Sequence, residues 1–375
     1  MVRLSVAQVL PALNGGGVER GTLEVARALV ESGHRSVVIS AGGRLVPELV
    51  RDGSEHLDWP LGIKSPLTLR WVRPLRRWLA GQRIDILHVR SRLPAWIGWL
   101  AWRGMDPATR PRFVTTVHGL YSVSRYSAIM TRGERVIAVS ETVREYLRRH
   151  YPRLPPERIQ VIPRGVDPME FPAGYRPPSA WLAEWHRQYP QLRAAPVLTL
   201  PGRLSRLKGH EDFIDLLARL RARGWPGYGL IVGGEEPRRR RYADQLRRLA
   251  RTRGLEEKVL FVGHRADVRE IYAISTLVLS LSIQPESFGR TVLEALSLGI
   301  PVVGYAHGGV GEILERIYPV GRVPVGDRET LTARVVDLLA APPPVPMEPV
   351  FPLQHMLDET LALYESLHRS TRPPA

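Results

Sequence analysis

The chain of 375 residues contains no cysteine. Disulfide bonds, thiolate nucleophiles and zinc sites with cysteine ligands are therefore excluded, and the composition suits a reducing cytoplasm. Long apolar runs are also missing, since the most apolar stretch, residues 94–102, is about half as long as a membrane-spanning helix requires. Polar residues and proline interrupt residues 1–14, so we expect no signal peptide there.

Lysine is nearly absent, although the chain is strongly basic. The net charge is +16, from 53 arginine and lysine residues against 37 acidic ones, and lysine occurs only at Lys64, Lys208 and Lys258. An arginine-rich coding bias explains this composition. Attraction to an anionic partner, either a lipid surface or a nucleic acid, explains it equally well. Charge alone leaves both interpretations open.

Short β-branched runs alternate with amphipathic helical stretches along most of the chain. Strands are predicted at residues 4–9, 36–39, 84–89, 113–117, 135–139 and 159–162, and in the second half at 197–200, 229–232, 259–262, 277–281 and 301–305. Helices are predicted between them. This alternation indicates parallel sheets covered by helices on both faces, and the length suits two such domains. Each half is therefore predicted to be a Rossmann-like α/β unit.

Proline-rich segments predict the domain boundaries. Residues 171–196 show no helical period, and we interpret them as a linker between an N-terminal domain, 1–170, and a C-terminal domain, 197–345. Prolines recur at residues 342–352, and an amphipathic helix is predicted after them at 353–369. We expect this helix to pack back on the N-terminal domain.

The most informative segment follows the predicted strand at 277–281, because parallel sheets bind ligands where their strands end. Ser287 is predicted to cap the next helix. The backbone amides around Phe288 and Gly289, with the helix dipole, favour an anionic or hydroxyl-rich ligand. Glu286 and Glu294 can each accept hydrogen bonds from sugar hydroxyls, although a solvated glutamate pair explains their spacing taken alone.

A second loop, after the predicted strand at 197–200, contains Gly202, Arg203 and Lys208. Arg203 can bind a phosphate in bidentate fashion, and Lys208 can supply a mobile charge. Each such bond contributes about 1.5–3 kcal/mol. Together they would stabilise the charge on a departing nucleoside diphosphate. A surface basic run is the simpler interpretation, but lysine is otherwise so rare that its presence here favours a function.

The third loop follows the first predicted strand and contains Gly15, Gly16 and Gly17, with Glu19 in the helix after it. Successive glycines can line a phosphate or a hydroxyl with backbone amides. A dinucleotide cofactor is not expected, because Arg20 occupies the position of the last fingerprint glycine and no acidic residue follows the second strand.

Two smaller features complete the candidate site. His118 follows the predicted strand at 113–117, and is either a structural hydrogen-bonding residue or a site residue. Residues 305–312 contain three glycines and are predicted to offer further backbone amides before a helix.

These motifs, in this order, resemble the retaining glycosyltransferases of GT-B architecture that carry a paired-glutamate signature. The likeness is to the family 4 type of the group 1 glycosyl transferases, as found in bacterial lipopolysaccharide and glycan synthesis. The matching segments cover almost the whole chain: residues 15–19, 116–119, 140–142, 162–167, 202–209, 285–294 and 307–312.

The resemblance implies two Rossmann-like doubly wound domains facing across a cleft, with the C-terminal helix returning to the first domain. The first domain would bind the acceptor and the second the nucleotide-sugar donor. The implied reaction moves a sugar, with retention of configuration, from a nucleotide-diphosphate-sugar to a glycan or glycolipid, such as a lipopolysaccharide core or another cell-envelope glycan. The resemblance implies no metal and no other cofactor.

Residue roles follow from the same resemblance. Catalytic roles are implied for Glu286, His118, Arg203 and Lys208. Donor binding is implied for a larger set: Gly202, Arg203, Lys208, Phe288, Gly289, Arg290 and Glu294. The loop at Gly15, Gly16, Gly17 and Glu19 would lie near the phosphates and the acceptor. Residues 313–327 are shorter and poorer in glycine than the family pattern, so the resemblance does not define that wall of the donor pocket.

Two alternatives belong to other classes. A non-enzymatic binder of anionic lipid or nucleic acid would concentrate basic and aromatic residues on one face, whereas these arginines are scattered and no nucleic-acid motif occurs. We therefore expect no nucleic-acid partner. A sugar-nucleotide epimerase on the same fold would need no acceptor, and a phosphorylase would need a cofactor lysine that the chain does not present.

A mixed aromatic and basic segment bears on the acceptor. It contains Trp71, Arg73, Arg76, Arg77 and Trp78. Such a segment suits peripheral contact with an anionic membrane, here the inner face of the cytoplasmic membrane. A solvated amphipathic helix is the equally simple interpretation.

Overall fold

The computed structural model describes residues 2–234, 240–348 and 350–370. These residues form two units. One contains the residues up to Arg164 and those from Gln354 onward, and the other is Gly165–Leu353. Each unit is a parallel sheet with helices between its strands, so the predicted class of two Rossmann-like α/β units is confirmed.

The first unit has seven strands among its described residues, in the order β3-β2-β1-β4-β5-β6-β7. They are β1 (Ser5–Val9), β2 (Arg35–Ser40), β3 (Glu55–Asp58), β4 (Ile86–Val89), β5 (Arg112–Val117), β6 (Arg135–Ala138) and β7 (Ile159–Val161). The helices between them are α1 (Gly17–Glu31), α2 (Val46–Arg51), α3 (Val72–Gly81), α4 (Arg92–Arg103) and α5 (Glu141–His150).

The second unit has six strands in its described part, in the order β10-β9-β8-β11-β12-β13. They are β8 (Val197–Pro201), β9 (Tyr228–Val232), β10 (Val259–Gly263), β11 (Leu277–Ser280), β12 (Val302–Tyr305) and β13 (Arg322–Val323). The helices are α6 (Ser179–Gln188), α7 (His210–Ala222), α8 (Arg240–Thr252), α9 (Val268–Ala273), α10 (Arg290–Ser297), α11 (Gly308–Ile317) and α12 (Arg328–Ala340). The last helix of the chain is α13 (Leu353–Arg369).

The strand order reverses at one point in each sheet. The chain leaves β1 towards one edge and returns at β4 in the first unit, and it does the same at β8 and β11 in the second. Loops at such a switch point diverge from each other and leave a crevice at the carboxyl ends of the strands. The three glycine-containing loops predicted as sites follow β1, β8 and β11, so each lies at a switch point.

The central strands are buried throughout, as expected of parallel strands covered on both faces. Strands β4, β5 and β11 have no exposed position. The first sheet nevertheless buries several polar side chains in these runs, including Gln8, His88 and Thr116. Burying a polar group is costly unless it is hydrogen-bonded. Here Nε2 of Gln8 donates to the carbonyl oxygen of Thr22, and His88 is hydrogen-bonded to Thr116.

Among the elements that were not predicted from the sequence are strand β3 and helix α6. Strand β3 reads Glu-His-Leu-Asp and has no buried position, which hides it from a search for apolar runs. Helix α6 lies within the segment predicted as a linker. It forms because Trp181 stacks on Trp185 at 5.1 Å, and Trp185 is only 2% exposed in a cluster with Leu192 and Ile271. The prolines of that segment lie before the helix, at 172, 177 and 178, or after it, at 190 and 196, so none interrupts it.

Helix α13 packs on the first unit, as predicted. The hydroxyl of Tyr364 is 2.6 Å from Nδ1 of His88, and both side chains are fully buried. Arg112 donates to the carbonyl oxygen of Ser370 near the end of the helix. The buried hydrogen bond between Tyr364 and His88 sets the position of α13 along the first unit, because a displaced helix would leave both groups unpaired.

Gly209 offers a test of the packing in the second unit. Its φ is +69°, and a Cβ there would overlap the carbonyl oxygen of Leu281. We predict that Gly209→Ala lowers the free energy of unfolding by more than the roughly 1–2 kcal/mol that the left-handed backbone alone costs a non-glycine residue. Urea denaturation would measure the change.

Gly224→Ala is the matched control, because Gly224 also has a positive φ, +82°, but no atom lies within 4 Å of its Cβ position. Equal losses in the two variants would contradict the steric account.

Candidate functional site

The loops after β8 and β11 are joined to each other through their backbones. The amide of Ile283 donates to the carbonyl oxygen of Leu207 at 2.9 Å. Gly209, the N-cap residue of α7, lies directly against the carbonyl of Leu281, where only a glycine leaves room. The two loops therefore act as one rigid frame, and side chains from both can meet there.

Lys208 and Glu286 meet in this frame. The Lys208 ammonium donates to Oε1 of Glu286 at 2.8 Å, and Ser282 Oγ donates to the same oxygen. Both side chains are about three-quarters buried. Burial raises the pKa of Glu286, but the charge and hydrogen bond of Lys208, with Ser282 and His307, outweigh it and lower the pKa below its usual value. Glu286 is therefore ionised at neutral pH.

The start of α11 supports the Glu286 loop from one side. The amide of Gly309 donates to the carbonyl oxygen of Glu286 at 2.8 Å. A Cβ at Gly308 would lie 2.6 Å from that oxygen, so the glycine is needed for the approach. His307 Nε2 lies 2.7 Å from the carbonyl oxygen of Ser282 and must carry a proton, since a carbonyl can only accept. The Gly309 amide, predicted to be available to a ligand, instead fixes the loop.

Helix α10 begins later than predicted. Gly289 occupies the N-cap with φ +107°, the first helical residue is Arg290, and no side chain caps the helix. The prediction that Ser287 caps it was wrong, because the left-handed turn at Gly289 delays the start of the helix. Phe288, just before that turn, is 6% exposed and packs edge-on against Phe351.

Glu294 lies in α10 and is 8% exposed. The guanidinium of Arg290, one turn earlier, donates to its Oε1 at 2.9 Å. Burial and the neighbouring charge of Glu294 raise the pKa of the Tyr272 hydroxyl well above its usual value. The two predicted donor-binding residues of this helix thus form an ion pair in a largely buried setting.

Gly202 and Arg203 follow β8. The Gly202 amide donates to the carbonyl of Val232 at 2.8 Å, and the Lys208 stem lies 3.4 Å from the Gly202 Cβ position. Arg203 is exposed. Gly233 was not predicted as a site residue, although its Cβ would overlap the Gly202 carbonyl oxygen. The sequence signal for Gly233 was its position directly after the buried strand β9.

The glycine loop of the first unit precedes α1. Gly15 and Gly16 have φ values of +130° and +154°, conformations that side chains rarely adopt. The guanidinium of Arg44 fills the space beside Gly15 and donates to the carbonyl of Asn14. The carboxylate of Glu19 lies 2.7 Å from the Gly16 Cβ position, whereas Gly17 faces open space. The predicted loop is therefore enclosed by one basic and one acidic side chain.

His118 follows β5 and is half-buried. Arg164 Nη2 lies 2.7 Å from its Nδ1. Beneath them His88 bridges Tyr364 and Thr116 at 2.6 Å each, and Arg90 is 2% exposed. Burial, with the charges of the two arginines, lowers the pKa of both histidines well below the usual value. Arg90 and Arg164 were not predicted as site residues, although charged residues beside buried strands were a signal for them.

The likeness to solved structures defines the class of protein. The structure of a glycosyltransferase from Rickettsia africae is 28% identical in sequence, with a TM-score of 0.83, and the match covers 98% of this chain and 100% of that one. The chain therefore has the GT-B fold of glycosyltransferases.

Family models give the more particular identity. The model for Glycosyltransferase Family 4 matches residues 15–170, and the model for Glycosyl transferases group 1 matches residues 183–344. The 2-deoxystreptamine N-acetyl-D-glucosaminyltransferase of Streptomyces fradiae is 30% identical over 86% of this chain and 82% of that protein. The chain belongs to the group 1 glycosyltransferases.

A human relative extends the comparison. One component of the human phosphatidylinositol N-acetylglucosaminyltransferase is 26% identical over 80% of this chain, and the chain spans 61% of the length of that relative. These relatives favour a transferase over the epimerase and the non-enzymatic binder. None of the described helices is long and apolar enough to cross a membrane.

The ion pair of the second unit gives a direct prediction. In Lys208→Met, Glu286 keeps its burial but loses its largest favourable partner, so its pKa should rise above that in the wild type. Carbon NMR of the labelled carboxyl group would follow the titration. Lys258→Met, which removes the lysine over Tyr228 instead, should leave Glu286 unchanged. An unaltered Glu286 titration in Lys208→Met would contradict the assigned pairing.

Proposed function

We propose that this protein is a retaining glycosyltransferase that moves a sugar from a nucleotide-diphosphate-sugar to a glycan or glycolipid acceptor. The second unit would bind the donor, and the first would bind the acceptor. The observation that carries the proposal is the Lys208–Glu286 pair at the carboxyl edge of the second sheet. It places a cation for phosphate and an ionised carboxylate for sugar hydroxyls side by side.

In this proposal Lys208 and Arg203 bind the diphosphate and stabilise the negative charge that grows on it as the sugar departs. Lys208 has three donors, so it can hold a phosphate oxygen while it still contacts Glu286. Gly202 and Gly289, at the ends of the two loops, carry no side chain that would block the approach of the phosphates. Phe288 and Arg290 complete this wall, and Glu294 would accept hydrogen bonds from the nucleotide ribose.

Glu286 is proposed to orient the sugar rather than to attack it. Its Oε1 already accepts from Lys208 and Ser282, which lowers its nucleophilicity. Retention then requires attack on the face from which the diphosphate leaves. The bond from the anomeric carbon to the phosphate oxygen breaks with its electron pair on the phosphate. The acceptor oxygen bonds to that carbon, and its proton passes to the departing phosphate.

We further propose that the reaction needs no metal ion. The positive charge that a metal would supply to the diphosphate is instead available from Lys208 and Arg203.

A thermal-shift screen against UDP-, GDP-, ADP- and CMP-sugars, each with and without EDTA, tests the proposal. Activated N-acetylglucosamine belongs in the screen, because both relatives are named for transfer of that sugar. One nucleotide class should raise the melting temperature by several degrees, and EDTA should not change the shift. A protein that no nucleotide sugar stabilises would contradict the proposed donor site.

The two glutamates should respond differently to substitution. Glu294→Ala should raise the donor KM, because it removes a binding contact, whereas Glu286→Ala should mainly lower kcat, by about tenfold or more, because it removes orientation of the reacting sugar. Steady-state kinetics with the donor found in the screen would separate the two. Unchanged kinetics in both variants would remove this site assignment.

For the acceptor, we propose a glycolipid or another cell-envelope glycan, such as a lipopolysaccharide core. Access to it would come through peripheral contact with the inner face of the cytoplasmic membrane. The surface around residues 63–77 supports this proposal. Leu67, Leu69 and Ile63 are exposed by 71%, 54% and 55% of their surface. Four basic residues of the same segment are also exposed: Lys64, Arg70, Arg73 and Arg77.

The tryptophans of this surface form a small stack rather than separate anchors. Trp59 stacks on Trp71 at 5.2 Å and meets Trp78 edge-on at 6.2 Å. Arg76, which the sequence suggested as a membrane contact, instead donates to the carbonyl oxygen of Ala101 at 3.2 Å. The exposed leucines are therefore the residues we propose to enter the headgroup region.

Vesicle flotation tests the membrane contact. The wild type should float with vesicles that contain phosphatidylglycerol and not with pure phosphatidylcholine, and Arg73→Glu/Arg77→Glu should abolish the difference. Arg148→Glu/Arg149→Glu changes the net charge equally on another exposed helix of the same unit, and should float like the wild type. If both double variants lost binding to these vesicles equally, net charge alone would drive the binding, which would contradict the proposed surface.

A further inference from the structure

The contact between Arg164 and His118 has no role in the assignments above. We propose that Arg164 is a positioning residue, which holds His118 in the neutral form with its proton on Nε2. In that form His118 presents a hydrogen-bond donor to a hydroxyl or phosphate oxygen of a substrate. The role of His118 in the reaction rests on the proposed function, whereas its tautomer does not.

The direction of the hydrogen bond follows from the chemistry of the two groups. A guanidinium has only donors, so the ring nitrogen that it approaches must accept. Arg164 Nη2 is 2.7 Å from Nδ1 of His118 and 3.4 Å from Nε2. The closer nitrogen, Nδ1, is therefore the acceptor, and the proton of the neutral ring lies on Nε2.

The packing around Arg164 holds its guanidinium in place. The side chain is 9% exposed, and Nη1 donates to the sulfur of Met356 on α13 at 3.4 Å. A Cβ at Gly21 of α1 would also lie 2.5 Å from Nη1. Glycine in a helix interior is less stable than alanine by roughly 0.5–1 kcal/mol. The space that it gives to Arg164 is a physical reason for glycine at this position.

The two arginines next to His118 act on it in the same direction. Arg90 and His88 lie beneath it, and Tyr364 faces them from α13. Glu24, on α1, interacts electrostatically with Arg90. Burial and the charges of Arg164 and Arg90 oppose protonation of His118 and lower its pKa. The imidazole is thus a poor proton acceptor, which suits a group that donates a hydrogen bond and transfers no proton.

Nitrogen NMR of the histidine side chains in the free protein tests the tautomer. In the wild type, His118 should show a protonated Nε2 and stay neutral well below pH 6.5, the usual pKa of histidine. In Arg164→Met, the ring should titrate at higher pH and populate both tautomers. Gly21→Ala keeps the arginine but crowds its guanidinium, and should shift His118 in the same direction by less.

Met356→Leu is the matched control, since it removes the sulfur contact and leaves the arginine opposite His118. Its His118 spectrum should match the wild type. If Arg164→Met does not fold, Gly21→Ala decides the question. A folded Arg164→Met or Gly21→Ala protein in which His118 keeps one tautomer and its low titration would overturn the proposal.

Kinetics add a second measurement once a donor is known. Arg164→Met should lower kcat by about tenfold or more with little change in the donor KM, and the loss should deepen as pH falls through the new titration of His118. Full activity in this variant would overturn the positioning role even if the tautomer changed. Absence of any transfer by the wild type would instead count against the proposed function and leave the tautomer result intact.

Discussion

The close approach of two backbone loops in the second unit is the constraint on which the candidate donor site depends. Gly209 lies against the carbonyl of Leu281, where no side chain fits, and the amide of Ile283 donates to the carbonyl oxygen of Leu207. This frame sets Lys208 at 2.8 Å from Glu286. A glutamate whose pKa burial alone would raise is thereby kept ionised. The chemistry proposed for the site follows from backbone packing that only glycines permit.

The first unit shows the opposite electrostatic balance. Arg90 and Arg164 are buried there beside two histidines, and both imidazoles are kept neutral by a lowered pKa. Charges excluded from water act on their neighbours more strongly than exposed ones. The same principle therefore stabilises an ionised carboxylate in one unit and neutral hydrogen-bonding rings in the other. Neutral His88 and His118 also make the fold less stable as pH falls below about 6.5, since the unfolded chain then binds more protons.

Local pattern predicted much of this structure, and long-range contacts account for the rest. The buried parallel strands and the glycine loops were visible because apolar runs and glycines are local signals. Helix α6 was hidden because tertiary packing of Trp185 stabilises it. The prediction that Ser287 caps α10 was wrong, because the sequence does not show that Gly289 adopts a left-handed turn. The pairing of Lys208 with Glu286, 78 residues apart, cannot be derived from spacing.

The affinity of the second unit's site for a nucleoside diphosphate tests the central claim most directly. Isothermal titration of the diphosphate that the donor screen selects, in EDTA, compares the wild type with Lys208→Met. Loss of one charge-assisted bond of about 1.5–3 kcal/mol weakens binding roughly tenfold or more. The account predicts a loss of that size, with a smaller salt dependence of the remaining affinity. Equal affinity in the two proteins would contradict the claim that Lys208 is poised for the donor phosphates.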